Sequence, residues 1–346
     1  MRMLDAGSGS ADPLARTVLV TGATGFLGGA LVRRLLNTGT AVRVLVRSPA
    51  KGAILADQGA EVVLGSITDI AAVRAALQDV AVVYHLAGRL LVPGVPATVY
   101  RTTHVDGTKL LLACCGEVSG LERFVHCSTT GVLGVTGDRR ADEEAPIRPT
   151  NVYEETKAEA ELAVRGRWRD GLPAVIARPG LVYGPGDLHL LPFFKAVLRR
   201  RFRPIGRETV WLHPIYIDDL TEGLIRCGMR DSAIGECFHL AGREPAPLTR
   251  LAEAIALAGG TRVPLGHIPL PAAQAVAALG DRLPPTLRQS APLTRSRLEF
   301  LTHSRMYDVT KAERLLEFAA RTDLWSGIAN SMGWYRAEGY LQGAAA

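Results

Sequence analysis

The sequence of 346 residues has little of what marks several classes of protein. It has only five cysteines, and no two stand in a C-x-x-C spacing, so neither a disulfide framework nor a cysteine-based metal site is indicated. The net charge is only +6 and the aromatic content 6%. Proteins that bind nucleic acid usually carry a longer basic face with interleaved aromatics. We therefore expect reduced thiols, no metal and no nucleic-acid partner.

Export and membrane signals are also missing from the sequence. Residues 1–16 lack the apolar core of a signal peptide, and we expect them to form a disordered leader. The longest uncharged stretch, residues 263–280, contains Pro264, Pro269 and Pro271, which argues against a transmembrane helix. The sequence therefore predicts a soluble, cytoplasmic protein without a membrane span.

Short apolar runs alternate with amphipathic stretches over the first half of the chain. Runs such as TVLVT are typical of buried strands, and LGGALVRRLLN has the apolar spacing of a helix. The alternation predicts an α/β fold of Rossmann type, with a doubly wound parallel sheet covered by helices on both faces. The predicted strands are 17–21, 41–46, 61–64, 80–85, 122–127, 173–178 and 236–241, and the predicted helices include 27–39, 71–78, 98–115 and 151–167.

The composition changes after residue 180, where proline, glycine and arginine become dense and helical patterns then dominate. We expect residues 17–180 to form the dinucleotide-binding domain, with the strand at 236–241 returning to its sheet. Residues 181–235 and 242–346 are then expected to form a smaller, mostly helical substrate-binding region. Such a region would cover the carboxyl ends of the strands, where open α/β sheets bind their ligands.

A glycine-rich turn follows the first predicted strand and opens the first helix. Its three glycines have the spacing G-x-x-G-x-x-G. In such a turn the first glycine permits a tight bend, the second lets the backbone approach a pyrophosphate, and the third allows close helix packing. The helix N-terminus offers free N–H groups to the phosphates. The turn therefore predicts a dinucleotide site that includes Gly22, Thr24, Gly25, Phe26, Leu27 and Gly28.

The end of the second predicted strand bears on which dinucleotide is bound. Proteins that bind NAD usually have an acidic residue there, which accepts from the ribose hydroxyls. This chain instead has Arg47, and its next acidic residue is Asp57. A guanidinium is suited to a 2′-phosphate, and Lys51 adds positive charge nearby. The sequence therefore predicts NADP(H) as the cofactor and makes NAD the second choice.

Two further segments carry groups suited to proton transfer. Tyr153 and Lys157 stand four residues apart, which places them on one face of a predicted helix. An ammonium group beside a phenol favours phenolate and lowers the pKa of the phenol. Ser128, Thr129 and Thr130 follow the fifth predicted strand, at the ligand-binding edge of the sheet.

These segments resemble the extended, epimerase/dehydratase-like branch of the short-chain dehydrogenase/reductase superfamily. The resemblance extends from about residue 17 to residue 341, through the motifs TGATGFLG (21–28), HLAG (85–88), VDGT (105–108), STTGVLG (128–134), YEETK (153–157), RPGLVYGPGD (178–187) and HPIYIDDL (213–220). It implies that Tyr153 donates or accepts the proton and that Lys157 tunes Tyr153 and holds the nicotinamide ribose. Thr129, with Ser128 as its neighbour, would bind the reacting oxygen. Further implied cofactor contacts are Ser66, Ile67, Leu86, Ala87, Gly88, His104 and Pro179.

Two residues depart from the pattern of that branch. His104 stands where an asparagine usually supports a water relay to the lysine, and Ser66 stands where an aspartate usually contacts adenine. Both replacements retain hydrogen-bonding capacity, so we expect the adenine site to survive and a relay through His104 to be available. The resemblance also implies a homodimer, joined through the helices near 98–115 and 151–167.

The resemblance also bears on the type of reaction. A nucleotide-sugar dehydratase would carry Asp-Glu where this chain has Thr130 and Gly131, and the arginine that epimerases often place before residues 213–220 is absent. The segments VRVLVR (42–47) and YDVTKA (307–312) resemble dihydroflavonol reductases and 3β-hydroxysteroid dehydrogenases. The sequence favours an NADP(H)-dependent oxidoreductase that interconverts a ketone and a secondary alcohol.

Three questions stay open at this point. A nucleotide-sugar epimerase with tightly bound NAD and a non-catalytic NADP(H)-binding sensor are the alternative functions. The uncharged stretch 263–280 would either line a pocket for a hydrophobic small-molecule substrate or form an ordinary helix of small residues. The identity of the carbonyl or alcohol substrate has no local motif.

Overall fold

The computed structural model describes residues 16–92, 94–284, 287, 291 and 293–341. Residues 1–15 of the predicted leader lie outside this description, and Arg16, the last residue of that leader, pairs with Glu122. The expected substrate-binding region is described except for residues 285–286, 288–290, 292 and 342–346.

Strands and helices alternate along the chain. The strands are β1 (Thr17–Thr21), β2 (Val42–Val46), β3 (Glu61–Leu64), β4 (Val80–His85), β5 (Arg123–Cys127), β6 (Ala174–Pro179), β7 (Leu181–Tyr183), β8 (Trp211–Leu212), β9 (Pro214–Tyr216), β10 (Cys237–Leu240) and β11 (Ala246–Pro247). The helices are α1 (Phe26–Asn37), α2 (Pro49–Asp57), α3 (Ile70–Ala76), α4 (Ala97–Arg101), α5 (Gly107–Cys115), α6 (Val152–Arg169), α7 (Leu191–Leu198), α8 (Ile217–Met229), α9 (Leu248–Ala258) and α10 (Leu270–Asp281). Three more helices, Arg295–Thr302, Thr310–Leu316 and Leu324–Ala337, follow towards the C-terminus.

Seven of these strands form one parallel sheet in the order β10-β6-β5-β4-β1-β2-β3. The strand order reverses beside β1, because β2 lies on one side of it and β4 on the other. This is the doubly wound Rossmann-type sheet that the sequence predicts, and ligands of such sheets bind at the reversal point, outside the carboxyl ends of the strands. The short strands form two separate pairs, β7 with β9 and β8 with β11.

Both faces of the sheet are buried under helices. Val20 and Val175 belong to the cluster on the face that α1 and α8 cover. Leu19 and Phe124 belong to the cluster with α3 and α5 on the opposite face. Successive residues of a strand therefore face opposite sides of the sheet, and both sides are buried. This explains why the strands are continuous apolar runs in the sequence, which is typical of parallel sheets covered on both sides.

Two local features differ from the sequence predictions. The chain forms α2 directly after β2, a helix that the apolar pattern does not indicate, and its start is fixed by Pro49 and by the hydroxyl of Ser48, which accepts from the N–H of Lys51. The predicted helix 98–115 consists of α4 and α5 joined by one π-helical turn, Thr102–Asp106. Such turns hold one extra residue and are frequent at functional sites.

The uncharged stretch 263–280 includes most of α10. Its small residues Ala273 and Ala277 are buried against Ile205 and Leu298, as in the ordinary packing of a small-residue helix, whereas Gly266 and His267 of the same stretch line a cleft. Across the described part of the chain, no helix combines the length and the apolar composition needed to cross a bilayer.

Candidate active site

The glycine turn brings the start of α1 against the end of β4. Gly22 has a φ of +74°, and a Cβ built on it would lie 2.6 Å from the backbone carbonyl carbon of Leu86. A Cβ on Gly28 would lie only 2.2 Å from the carbonyl oxygen of Gly22. Both positions therefore require glycine, because any side chain there would collide with backbone atoms that cannot move aside.

The start of α1 fits the phosphates of a dinucleotide. Gly25 is the N-cap, and among the described residues no side chain hydrogen-bonds to the first N–H groups of the helix. These free donors and the positive end of the helix dipole form an anion site. Thr24 is exposed beside them, whereas the ring of Phe26 lies against Gly186 and Leu27 packs into the core.

The residues expected at the adenosine end lie at the ends of β2 and β3. Arg47 and Lys51 are exposed at the end of β2 and in the first turn of α2. The Ser66 hydroxyl lies 2.9 Å from that of Thr68. Ile67 is buried, and a Cβ on Gly107 would come within 2.5 Å of its side chain. Arg47 and Lys51 thus supply positive charge at an exposed edge, whereas Ile67 packs against the helix behind it.

A chain of hydrogen bonds fixes the end of β4, directly before Leu86, Ala87 and Gly88. The Thr21 hydroxyl lies 2.8 Å from Nδ1 of His85 and accepts from the N–H of Ala87. Nε2 of His85 lies 2.9 Å from the Thr108 hydroxyl, which donates to the carbonyl of His104. Burial, helped by the charge of Lys157, lowers the pKa of His85 to about 3, so this imidazole is neutral.

His104 lies in the π-helical turn, with both ring nitrogens engaged. Nε2 accepts from the N–H of Arg89 at 3.0 Å, so in the neutral ring Nδ1 carries the proton. Nδ1 then donates to the Thr156 hydroxyl at 2.8 Å. The ring also meets the ring of Tyr153 edge-on, with centroids 5.6 Å apart. Through these two hydrogen bonds the side chain fixes the loop after β4 to the helix that carries Tyr153, and the expected relay through His104 stays a prediction.

Tyr153 and Lys157 lie in the first turns of α6. Asn151 caps this helix, and its side-chain oxygen accepts from the N–H groups of Tyr153 and Glu154, each at 3.1 Å. Lys157 is buried, and its ammonium group donates to the carbonyl of Cys127 at the end of β5. The structure thus brings the tyrosine and the lysine to the strand end that Ser128 and Thr129 follow.

The pKa values of this pair are set mainly by burial. Burial raises the pKa of Tyr153 above its usual value, and the hydrogen-bonding Thr129 hydroxyl offsets part of that rise. Burial lowers the pKa of Lys157, whereas Cys127 and Glu161 act in the opposite direction. The expected lowering of the Tyr153 pKa by Lys157 is therefore not the net effect in this structure. Desolvation of the phenolate is the main cause of the rise, and Tyr153 is a protonated phenol at neutral pH.

The three consecutive hydroxyl groups after β5 have different partners. Ser128 donates to a carboxylate oxygen of Glu161 at 2.8 Å, and Thr130 donates to the carbonyl of Pro179 at 3.0 Å. The Thr129 oxygen accepts from the N–H of Gly131 at 3.1 Å, which leaves its own proton for donation. Of the three, Thr129 is the hydroxyl that lowers the pKa of Tyr153, and Ser128 is engaged by Glu161.

The sequence analysis did not identify the buried charges around these residues. Arg178 forms two hydrogen bonds with Glu161, and Arg305 lies 2.7 Å from a carboxylate oxygen of Glu154, the neighbour of Tyr153. The sequence did contain a signal for the first pair of charges, because Arg178 interrupts an otherwise apolar strand and Glu161 follows Lys157 by one helical turn. Arg305 had no signal, since it lies 151 positions from Glu154.

Comparisons with known proteins agree with this arrangement. The model of the NAD dependent epimerase/dehydratase family matches residues 18–240. The chain is 29% identical over 318 residues to the 4-hydroxy-2-methyl-3-oxo-4-farnesyl-3,4-dihydroquinoline-1-oxide ketoreductase of Stigmatella aurantiaca, covering 89% of this chain and 93% of that protein. It is 32% identical over 324 residues to the 3 beta-hydroxysteroid dehydrogenase/Delta 5-->4-isomerase of Mycobacterium tuberculosis, covering 87% and 85%.

A solved structure shows the same fold. The UDP-glucuronic acid 4-epimerase of Bacillus cereus, in complex with UDP-glucuronic acid and NAD, matches with a TM-score of 0.74 at 23% identity. The match covers 93% of this chain and 99% of that one. The chain therefore belongs to the NAD dependent epimerase/dehydratase family, within the extended short-chain dehydrogenases/reductases, and is an NAD(P)-dependent oxidoreductase.

Proposed function

We propose that the protein interconverts a ketone and a secondary alcohol, with NADP(H) as the hydride carrier. The observation that carries this proposal is that Tyr153 lies one helical turn before Lys157 on α6, and that the Lys157 ammonium group donates to the carbonyl of Cys127 at the strand end that Thr129 follows. The names of the two relatives, a ketoreductase and a hydroxysteroid dehydrogenase, support redox chemistry at a carbon–oxygen bond.

In the direction of reduction, Tyr153 donates a proton to the carbonyl oxygen of the substrate. Burial keeps the phenol protonated at neutral pH, so the proton is present when the substrate arrives. Thr129 donates to the same oxygen, since its own oxygen already accepts from Gly131. A donor held in place before charge develops on that oxygen stabilises the transition state. The nicotinamide, when bound, supplies the hydride.

Lys157 has two tasks in this proposal. Its charge stabilises the phenolate of Tyr153 once the proton has left, and its N–H groups would hold the ribose of the cofactor. The carbonyl of Cys127 orients the ammonium group, and Glu161, one turn further along α6, favours its charged form. In oxidation the same groups act in reverse, with the Tyr153 phenolate accepting the proton.

The proposed preference for NADP(H) depends on Arg47. The free N–H groups at the start of α1, with Gly22, Gly25 and Gly28 leaving room for a pyrophosphate, fit either dinucleotide. Arg47 is exposed at the end of β2, and Lys51 is exposed in the first turn of α2, four residues later, which fits the extra charge of a 2′-phosphate.

The proposed substrate is a hydrophobic small molecule. The names of the two relatives include a farnesyl group and a steroid, both largely apolar. A cleft of about 400 Å³ in the C-terminal part of this chain has apolar and polar lining residues, namely Pro204, Ile205, Gly206, Arg207, Glu208, Thr209, Val210, Leu248, Thr249, Gly266, His267 and Leu301. None of them is a candidate catalytic residue, so the proposal for the substrate rests on the names of the relatives.

We also propose a cytoplasmic homodimer. All five cysteines lie in the described part of the chain and are free and buried, which suits a reducing compartment. The helices expected at the interface expose Val99 and Leu162 and are joined by the ion pair of Arg101 with Glu159. Sedimentation velocity at micromolar concentration is expected to show a dimer, and a monomer there would rule this interface out.

The test of the proposed function uses the dialysed protein and two panels of substrates. We expect oxidation of NADPH, followed at 340 nm, with hydrophobic ketones, and no nucleotide released when the dialysed protein is denatured. An epimerase would release NAD(H) after dialysis and would isomerise sugar nucleotides without net cofactor consumption. Binding of NADPH without turnover on either panel would favour the non-catalytic sensor.

A further inference from the structure

A buried ion pair lies directly behind the candidate active site. The side chains of Arg178, on β6, and Glu161, on α6, are 1% and 0% exposed. The guanidinium donates from Nε to one carboxylate oxygen at 3.1 Å and from Nη2 to the other at 2.6 Å. Such a pair is weak evidence for stability, because desolvation of the two charges offsets much of their attraction. The hydrogen bonds that Glu161 makes suggest instead that the pair has a role at the active site.

Glu161 links the ion pair to the active-site strand. The oxygen that accepts from Nε of Arg178 also accepts from the Ser128 hydroxyl at 2.8 Å. Burial alone would raise the pKa of Glu161, but Arg178, with smaller contributions from Arg165 and Ser128, brings it below the usual value. The carboxylate is therefore charged at neutral pH and is a strong acceptor for the Ser128 hydroxyl.

Thr129 is held from both sides by this arrangement. Ser128, before it, is bound to Glu161, and its N–H donates to the carbonyl of Ala177 on β6 at 2.7 Å. Thr130, after it, donates to the carbonyl of Pro179, the residue that follows Arg178. The backbone at Thr129 consequently has little freedom to move relative to β6 and α6.

We propose that Glu161, held by Arg178, is a positioning residue that acts through Ser128 to set the distance between the hydroxyl groups of Thr129 and Tyr153. Tyr153 and Glu161 lie on the same helix, so α6 both carries the proton donor and fixes the strand end that carries the second donor. The inference rests on the proposed function, in which both hydroxyls bind the reacting oxygen. Small displacements of such groups slow catalysis strongly, because the donors must meet the oxygen where charge develops.

The variant Ser128→Ala cuts the link without leaving Arg178 unpaired. We expect its kcat for the ketone to fall about tenfold, since a displacement of about 1 Å in such a group can cost up to about a hundredfold. The KM for the ketone and the Kd for NADPH are expected to stay within about twofold of wild type, because these depend mainly on other contacts. Ser128→Thr, which retains the hydroxyl, is expected to restore most of the lost kcat.

Arg165→Gln is the matched control. Arg165 also contacts the Glu161 carboxylate, at 3.2 Å, but from a partly exposed position, and it does not touch Ser128. We expect a kcat close to wild type. A Ser128→Ala enzyme with wild-type kcat, or one that Ser128→Thr fails to rescue, would overturn the proposal. A fall in thermal stability alone, with unchanged kcat, would assign the cluster a purely structural role.

A crystal structure of Ser128→Ala separates this inference from the proposed function. If the wild type turns over no ketone, the proposed function fails, and the position of Thr129 still tests the link. We expect the distance between the Thr129 and Tyr153 oxygens to change by about 0.5 Å or more relative to wild type, a displacement sufficient to impair a catalytic geometry. An unchanged distance would contradict the inference whatever the activity.

Discussion

Burial moves the pKa values of the two ionisable groups at the candidate site in opposite directions. That of Tyr153 rises and that of Lys157 falls, so each group is biased towards its neutral form. The spacing in the sequence correctly indicates that the two lie on one helix, but it contains no information on how dry their surroundings are. This is why the expected lowering of the phenol pKa is reversed, and why Tyr153 is suited to donate a proton.

Arg47 allows a test of cofactor choice at a single residue. Replacing Arg47 by Asp, together with Lys51→Ala, is expected to reverse the preference from NADPH to NADH. The carboxylate would repel the 2′-phosphate and accept from free ribose hydroxyls, and each charge-assisted hydrogen bond lost costs about 1.5–3 kcal/mol. Measured Kd values for both nucleotides at low salt check this.

Arg250→Asp is the control for that experiment, because Arg250 is an exposed arginine on α9, a helix of the C-terminal part. It makes the same change of charge as Arg47→Asp alone, and we expect it to leave the preference unchanged. Equal affinities of the wild type for NADH and NADPH would show that Arg47 does not recognise the phosphate.

At the scale of single elements, the sequence predicts the sheet better than the segments between its strands. The predicted strands lie within one residue of the observed ones at each end, because their apolar runs are short and sharply bounded. The sequence pattern does not predict the helix α2, because only Gly52 and Leu55 of this helix are buried and its residues form no amphipathic pattern. The π-helical turn has no local signal in the sequence either. It accompanies contacts of His104 with Arg89 and Thr156, which lie in other segments of the chain.

The N-cap of α6 connects the stability of an element to catalysis. Asn151→Ala removes the acceptor for the N–H groups of Tyr153 and Glu154, and we expect a loss of about 1 kcal/mol in the free energy of unfolding. Because the cap holds the backbone of Tyr153 itself, we also expect kcat to fall. Denaturant unfolding and steady-state kinetics check the two effects.

Asp323→Ala is the matched control for the cap. Asp323 caps the helix Leu324–Ala337 in the same way, by accepting from the N–H groups of Trp325 and Ser326. We expect a similar loss of stability without the loss of kcat. If both variants lose stability and neither loses activity, the cap of α6 does not position Tyr153.

For the molecule as a whole, the site depends on contacts between residues far apart in sequence. Local motifs identify Tyr153, Lys157 and the glycine turn, whose chemistry lies within a few neighbouring residues. The partners that hold them in place come from other elements, as with Arg305 beside Glu154 and Pro179 beside Thr130. Sequence patterns cannot supply these pairs, because the fold alone determines which distant residues meet. The catalytic roles themselves stay predictions.

Buried histidines make the stability of the whole molecule sensitive to acid. Burial is the main cause that lowers the pKa to about 3 for His85, His104 and His239 and to about 4 for His213. As the pH falls below about 6.5 the unfolded chain binds protons that the folded chain does not, so stability falls. Each histidine contributes a loss of about 1.4 kcal/mol per pH unit, until the pH reaches its folded pKa. Urea unfolding between pH 7 and pH 4.5 measures the slope.

His126 allows this account of acid sensitivity to be tested. It is buried, burial lowers its pKa well below the usual value, and among the described residues neither ring nitrogen has a hydrogen-bond partner. His126→Leu is expected to make the fall in stability with acid less steep, and replacing the exposed His303 by Leu is expected to change it little. An unchanged slope in His126→Leu would show that His126 protonates in the folded protein.

The central claim, that Tyr153 transfers the proton between enzyme and substrate, is tested most directly by Tyr153→Phe. The kcat for the ketone is expected to fall by about 10²–10⁴-fold, the usual contribution of a positioned acid or base, while the Kd for NADPH stays close to wild type. Tyr335→Phe is the control, because the Tyr335 hydroxyl is buried and has no hydrogen-bond partner among the described residues. We expect it to keep wild-type kcat. Turnover by Tyr153→Phe comparable to wild type would contradict the account.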